Sequence, residues 1–218
     1  MVRVKICGVM EPAHAVVAGD SGADFIGMVF APTRRRVTLE QAREIVAAVR
    51  DIDPRPACVG LFVDSPPDEV NRIADECGLD YVQLTGNVST AHARAIERPV
   101  LKSVHVAAAA TAVAVLATVR DWYQAMRDRP GFRCLLDSGS PERGIYGGTG
   151  KTFDWGIAAE VAARFPVIVA GGLTPENVGA MVRQVRPWGV DVSSGVETVG
   201  RKDPAKIGAF IRAVWNVE

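Results

Sequence analysis

The sequence predicts an α/β protein, a single-domain (β/α)8 barrel over residues 1–218, and three observations lead there. Short β-branched runs alternate with longer stretches of helical periodicity along the whole chain. Eight such pairs fit into 218 residues, a size at which parallel strands close into one domain. Residues able to do chemistry collect just where the predicted strands end, which is the rim an α/β enzyme uses. A doubly wound open sheet is the runner-up, because periodicity alone does not show closure.

The first strand is Val2–Cys7. With period two, Val2, Val4 and Ile6 share an apolar face and Arg3, Lys5 and Cys7 share the other. One thiol therefore arrives at the strand's carboxyl end, with Lys5 one pleat below it, and a nearby ammonium favours thiolate. Strands follow at Phe25–Phe30, Cys58–Val63, Tyr81–Leu84 and Val100–Ser103, with helical patterns at Leu39–Arg50 and Pro67–Cys77 among them. The Ala-rich stretch Val106–Val119 falls short of the roughly 20 apolar residues that cross a bilayer and meets Arg120-Asp121. It belongs to a packed helix, Thr111–Met126.

The sixth strand, Arg133–Leu136, delivers Asp137 to the same rim as Cys7. The Gly-rich stretch that follows is about fourteen residues long, which is long for a βα connection and fits a loop that covers a substrate. Its Gly147-Gly148-Thr149-Gly150-Lys151-Thr152 is no nucleotide P-loop, because position 145 is isoleucine where that motif needs glycine. The seventh strand is Val167–Ala170, and Thr174-Pro175 is a start signal for a helix at Pro175–Val185. The eighth strand, Val190–Val192, and a helix at Pro204–Trp215 close the series.

On the same alternation Lys5, Gln83, Lys102, Asp137 and Asp191 face the barrel interior, where opposite charges need mutual pairing or a charged ligand. Two rim segments suit phosphate. Gly171 and Gly172 end the seventh strand, and Ser193, Ser194 and Gly195 end the eighth; small residues let backbone N–H groups approach an anion. In barrels these two loops commonly form such a cradle.

Composition narrows the partners. With 25 basic and 25 acidic side chains there is no excess charge to neutralise nucleic acid or an anionic membrane, so a small molecule is the expected partner. Cys7, Cys58, Cys77 and Cys134 lack metal-ligand spacing and are expected as reduced cytoplasmic thiols, with no charged, apolar leader before them. His14 and His92 fall in helical stretches and His105 follows the fifth strand without an evident partner, so hydrolase and metalloenzyme schemes find no support. Monomer and homodimer both stay open.

Lys5-Ile6-Cys7-Gly8, Gly22-Ala23-Asp24 with Gly27-Met28-Val29-Phe30, and Val59-Gly60-Leu61-Phe62-Val63 occur in order. Val82-Gln83-Leu84, Leu135-Leu136-Asp137-Ser138, Gly147 to Trp155, Ala170 to Val178 and Val190 to Glu197 follow them. This ordered set resembles the phosphoribosylanthranilate isomerases of tryptophan biosynthesis, members of the ribulose-phosphate-binding barrels. The resemblance implies a cofactor-free, metal-free Amadori rearrangement of an aminoaldose phosphate to an aminoketose phosphate, with Asp137 as general acid and Cys7 as general base. It further implies that Arg36, at the end of Arg34-Arg35-Arg36, holds the anthranilate carboxylate with its planar donor fork. Asp191 resembles a residue near the substrate; an ion pair with an interior lysine is the structural alternative.

The chain departs from the family at Val9-Met10, where an aliphatic residue and a polar one are usual, and at Thr85, where the family has histidine. These departures leave two further readings: a related phosphate-binding barrel isomerase, which would more naturally use aspartates at strands one and five, and a silent binding protein on the same fold.

Overall fold

The computed structural model describes residues 1–138 and 153–217. Eight parallel strands close into a barrel in chain order: β1 (Arg3–Cys7), β2 (Phe25–Val29), β3 (Ala57–Val63), β4 (Tyr81–Thr85), β5 (Val100–His105), β6 (Arg133–Asp137), β7 (Ile168–Val169) and β8 (Gly189–Val192). Helices cross over outside: α1 (Pro12–Asp20), α2 (Leu39–Ala48), α3 (Pro67–Cys77), α4 (Thr90–Arg94), α5 (Ala112–Ala125), α6 (Trp155–Ala162), α7 (Val178–Val185) and α8 (Pro204–Trp215). After β8 the chain makes one 3-10 turn (Ser194–Val196) and a two-stranded hairpin, β9 (Glu197–Thr198) and β10 (Arg201–Lys202). Closure settles the choice between barrel and open sheet.

Local chemistry explains the helix ends. Thr38 and Gln41 form a reciprocal capping box on α2. Pro67 opens α3, and Gly78 ends it in the left-handed conformation that glycine adopts without steric cost. Regular helix α7 begins at Val178, three residues later than Thr174-Pro175 predicted. The start signal still operates: Thr174 Oγ1 accepts from the Glu176 N–H, and its carbonyl accepts from Val178. The Gly-rich stretch at 139–152, with its predicted covering loop, lies outside the described residues.

Two apolar layers hold the barrel. Phe25, Val59, Leu101, Leu135 and Ile168 pack inside it, over Tyr81 and Trp188. Ile6, Ile26, Met28, Leu84, Cys134 and Leu136 belong to the larger layer between strands and helices.

Register corrects one sequence expectation. Lys102 pairs laterally with Leu84 and Cys134, both in the helix-facing layer, so it points outward and not into the barrel. Its buried ammonium donates to the Gly86 carbonyl at 3.1 Å and lies 5.6 Å from the Trp122 ring centroid. Among the described residues no carboxylate pairs with it, and burial lowers its pKa to about 8. The unfolded chain keeps this proton to about pH 10.4. Stability therefore rises with pH between those two values, where the unfolded state binds the extra proton. Lys102→Met is expected to flatten that rise and to raise unfolding free energy at pH 7 by about 1–3 kcal/mol, measured by urea denaturation at pH 7 and 10.

Candidate active site

At the carboxyl ends of the strands lies a pocket of about 250 Å³. Cys7 from β1, Asp137 from β6 and Asp191 from β8 line it, as do Gly171, Gly172, Ser193, Ser194 and Gly195 from the loops after β7 and β8. The structure thus brings together eight of the nine residues singled out from sequence. Arg36 is the exception.

Beneath the thiol, Lys5 Nζ meets Asp191 Oδ1 at 2.8 Å, with Lys5 1 % and Asp191 8 % exposed. This is the ion pair given above as the structural alternative for Asp191, whose residue also lines the pocket. Lys5 is held firmly protonated: burial opposes its charge, and Asp191 and Cys7 together more than offset that. Burial pushes the Cys7 thiol above its ordinary range. Lys5 pulls it back in part, while Asp191 pushes it higher. Lys5 thus favours the thiolate as expected, but burial, the largest influence, outweighs it and leaves the thiol above its ordinary value.

Gly27, the lateral partner of Cys7 on β2, makes room for this arrangement. A Cβ there would lie 3.0 Å from Cys7 Sγ and 3.1 Å from Lys5 Nζ. Sequence reasoning passed over this position, since a glycine within a strand does not announce which side chain it accommodates.

The phosphate-type loops are closely fitted to each other. Gly171 and Gly172 both have positive φ, at 87° and 64°. Any Cβ at Gly195 would overlap the Leu173 carbonyl, so the two loops approach as only glycine permits. Asn177, unremarked in the sequence, braces the β7 loop: its side chain donates to the Gly172 carbonyl at 2.9 Å and accepts from the Thr174 N–H at 2.8 Å.

The pocket's other wall is different in kind. Val29, Ala31, Leu61 and Val63 present an apolar patch beside Cys7, suited to an aromatic ring. Next to it Thr85, the departure from the family's histidine, shares a hydrogen bond with Ser103 at 2.9 Å, and Gln83 donates to the same Ser103 hydroxyl at 3.1 Å. The substitution thus places a bonded hydroxyl in the wall.

In the arginine run, Arg35 lines the pocket but is bidentate to Glu197, at 2.7 and 3.0 Å, and Arg34 binds the same carboxylate at 2.7 Å. Arg36 is exposed and borders a neighbouring hollow with Phe30, Phe62 and Arg72. Its guanidinium has no ion-pair partner among the described residues. His105 ends β5 with both ring nitrogens buried and, among the described residues, without hydrogen bonds, and burial lowers its pKa to about 4.

Comparison with known proteins agrees with this geometry. Residues 4–213 match the family described as N-(5′-phosphoribosyl)anthranilate (PRA) isomerase. An N-(5′-phosphoribosyl)anthranilate isomerase of Dehalococcoides mccartyi is 45 % identical over 218 residues, spanning 100 % of this chain and 98 % of the relative. One from Desulforamulus reducens is 46 % identical over 217 residues, spanning 100 % and 97 %. The crystal structure of the Thermotoga maritima phosphoribosylanthranilate isomerase superposes with a TM-score of 0.81 at 38 % identity, over 99 % of this chain and 100 % of that one. A further isomerase structure, in complex with reduced 1-(o-carboxyphenylamino)-1-deoxyribulose 5-phosphate, gives 0.78 at 35 % identity over 99 % and 100 %.

Proposed function

The chain belongs to the N-(5′-phosphoribosyl)anthranilate isomerase family, and from that premise we propose that Cys7 and Asp137 carry the proton transfers of its reaction. The reaction is the Amadori rearrangement of N-(5′-phosphoribosyl)anthranilate to 1-(2-carboxyphenylamino)-1-deoxyribulose 5-phosphate, a step of tryptophan biosynthesis. The observation that carries the residue assignment is their arrival, from β1 and β6, in one pocket floored by phosphate-type loops.

Asp137 gives its proton to the ring oxygen as the C1–O bond breaks and the nitrogen lone pair forms C1=N, leaving the open-chain protonated imine. The Cys7 thiolate then takes the proton from C2, and the electron pair moves through C1 onto nitrogen to give an enaminol. Cys7 returns its proton to C1 while the Asp137 carboxylate takes the enol hydroxyl proton, which gives the ketone and restores both groups. Lys5 places a fixed positive charge beside the thiolate when it forms. The backbone around Gly171, Gly172, Ser193, Ser194 and Gly195 takes the phosphate, and the patch of Val29, Ala31, Leu61 and Val63 takes the aryl ring.

Arg36 is the guanidinium of its run left free to meet the anthranilate carboxylate, because Glu197 engages the other two. It does so by turning from its present position beside Phe30 over the rim. Arg36→Met is expected to raise KM about tenfold or more with kcat changed far less, the mark of lost ground-state binding. Steady-state kinetics check this; an unchanged KM removes Arg36 from the site. We place the protein in the cytoplasm, with its four free thiols reduced, as a monomer or homodimer; a Thermotoga maritima relative is described as dimeric.

The test of function is the decay of substrate fluorescence, with phosphoribosylanthranilate generated in situ. Fast, protein-dependent decay supports the reading. Decay no faster than the spontaneous background, from folded protein that binds the reduced product analogue, overturns it in favour of a silent binder.

A further inference from the structure

We propose that Glu197 is a positioning residue that ties the loop after β2 to the loop after β8, and so fixes the distance between the two ends of the substrate site. The inference rests on the reading above, in which the β8 loop holds the phosphate and the β2 loop brings Arg36 to the carboxylate at the other end.

Glu197 opens β9, and its side chain is only 5 % exposed, yet three cations converge on it. Arg35 reaches it from the β2 loop through two parallel bonds, Nε to Oε1 at 2.7 Å and Nη2 to Oε2 at 3.0 Å, and Arg34 Nη2 adds a third at 2.7 Å. From the other side Lys202 Nζ meets Oε1 at 2.9 Å. The same ammonium donates to the Ser193 carbonyl at 2.9 Å and lies 3.4 Å from its hydroxyl, so the carboxylate is linked through Lys202 to the phosphate loop itself.

The backbone has been cleared for these crossings. A Cβ at Gly8 would collide with Arg35 Cδ, and one at Gly200 with the Arg34 guanidinium; both glycines have positive φ, at 73° and 77°. Packing alone does not require a side chain to cross from one loop to another at two glycine-lined points. A bidentate arginine–carboxylate pair fixes orientation as well as distance, which suits a tie between loops.

The cluster also has a charge imbalance that makes the idea testable. Three cations share one carboxylate, and Arg35 lines the pocket. If Glu197 contributed only charge, Glu197→Gln would leave more positive potential at the rim and inorganic phosphate would bind more tightly. If it is the tie, the same variant frees cations that repel one another, the loops separate and phosphate binds more weakly.

The experiment is steady-state kinetics and competitive inhibition by inorganic phosphate for wild type, Glu197→Gln, Glu197→Asp, Arg35→Met and the Glu197→Gln/Arg35→Met double variant. The expected result for Glu197→Gln is a KM raised about tenfold, weaker phosphate inhibition by a similar factor and kcat within about threefold, with the double variant no worse than the poorer single one because both cut one connection. Glu197→Asp, which keeps the charge on a shorter arm, recovers part of the loss. Should Glu197→Gln not fold, Arg35→Met compared with Glu197→Asp asks the same question. Unchanged KM, tighter phosphate inhibition or independent, multiplicative effects would each overturn the proposal. An inactive wild type would instead overturn the functional reading on which it rests.

Discussion

Replacing Cys7 with alanine is expected to lower kcat by about 10²–10⁴, the range general acid–base groups supply, and Asp137→Ala or Asp137→Asn should fall in the same range. Both residues line the pocket, and in the proposed mechanism each has a step the other cannot perform: protonation of the ring oxygen and removal of the C2 proton. KM should move little, because neither side chain is the main grip on phosphate, carboxylate or ring. The two losses should not multiply in the double variant, since residues acting in one sequence on one substrate are strongly non-additive. Fluorescence decay measures the rates. Binding of the reduced product analogue, unchanged in each variant, shows that the site has survived. A Cys7→Ala enzyme within tenfold of wild type would mean that another group takes the proton.

The largest effect on stability is expected at Lys5. Lys5→Met removes one member of an ion pair that is 1 % and 8 % exposed and leaves the Asp191 carboxyl inside the barrel without that partner. Breaking such a pair from one side costs about 3–5 kcal/mol. The pair's effect on pH dependence has a definite sign. Lys5 has its pKa raised by the fold, so its contribution is fully present below the unfolded value near pH 10.4 and fades only above it. At pH 7 the full loss should therefore appear in urea denaturation. Lys5→Met/Asp191→Asn, which removes both charges, should recover much of the stability and little of the activity. Without the ammonium, burial acts on the Cys7 thiol against only the smaller pull of Lys202, and the thiol climbs further from thiolate. Equal recovery of both would mean that Lys5 serves the fold alone.

How much of this was legible in the sequence depended on how local each signal is. The placement of Cys7 and Asp137 at the rim was legible because each closes a strand, and the strand's end is set by the residues beside it. The place of the two small-residue loops in the pocket was legible for the same reason: Gly171-Gly172 and Ser193-Ser194-Gly195 are runs of small residues at two strand ends. Lys102 was not. Val100-Leu101-Lys102-Ser103-Val104 lies in a parallel strand buried on both faces, so no apolar/polar alternation marks the inside, and a shift of one residue reverses the side chain.

The arginine run was ambiguous for a different reason. Three identical neighbours carry no internal distinction, and what separates them is Glu197, more than 160 positions away in sequence. Gly27 and Asn177 were missed because their roles, making room for Lys5 and bracing Gly172, exist only once loops and strands from distant parts of the chain have met. The effect of Lys5 on Cys7 was foreseen in kind but not in outcome. The sequence places an ammonium one pleat below a thiol, whereas burial and Asp191, which decide the direction, enter with the tertiary structure.

In the proposed mechanism Cys7, resting as a buried thiol, is the base. The most direct test is the pH dependence of kcat/KM between pH 7 and 10 for wild type beside Cys7→Ala, since that ratio reports ionisations of the free enzyme. The predicted result is a wild-type rate that climbs toward alkaline pH and is still climbing past about 8.5, the ordinary thiol value, with the limb absent in Cys7→Ala. A wild-type profile flat across that range, or the same rising limb in Cys7→Ala, would contradict it.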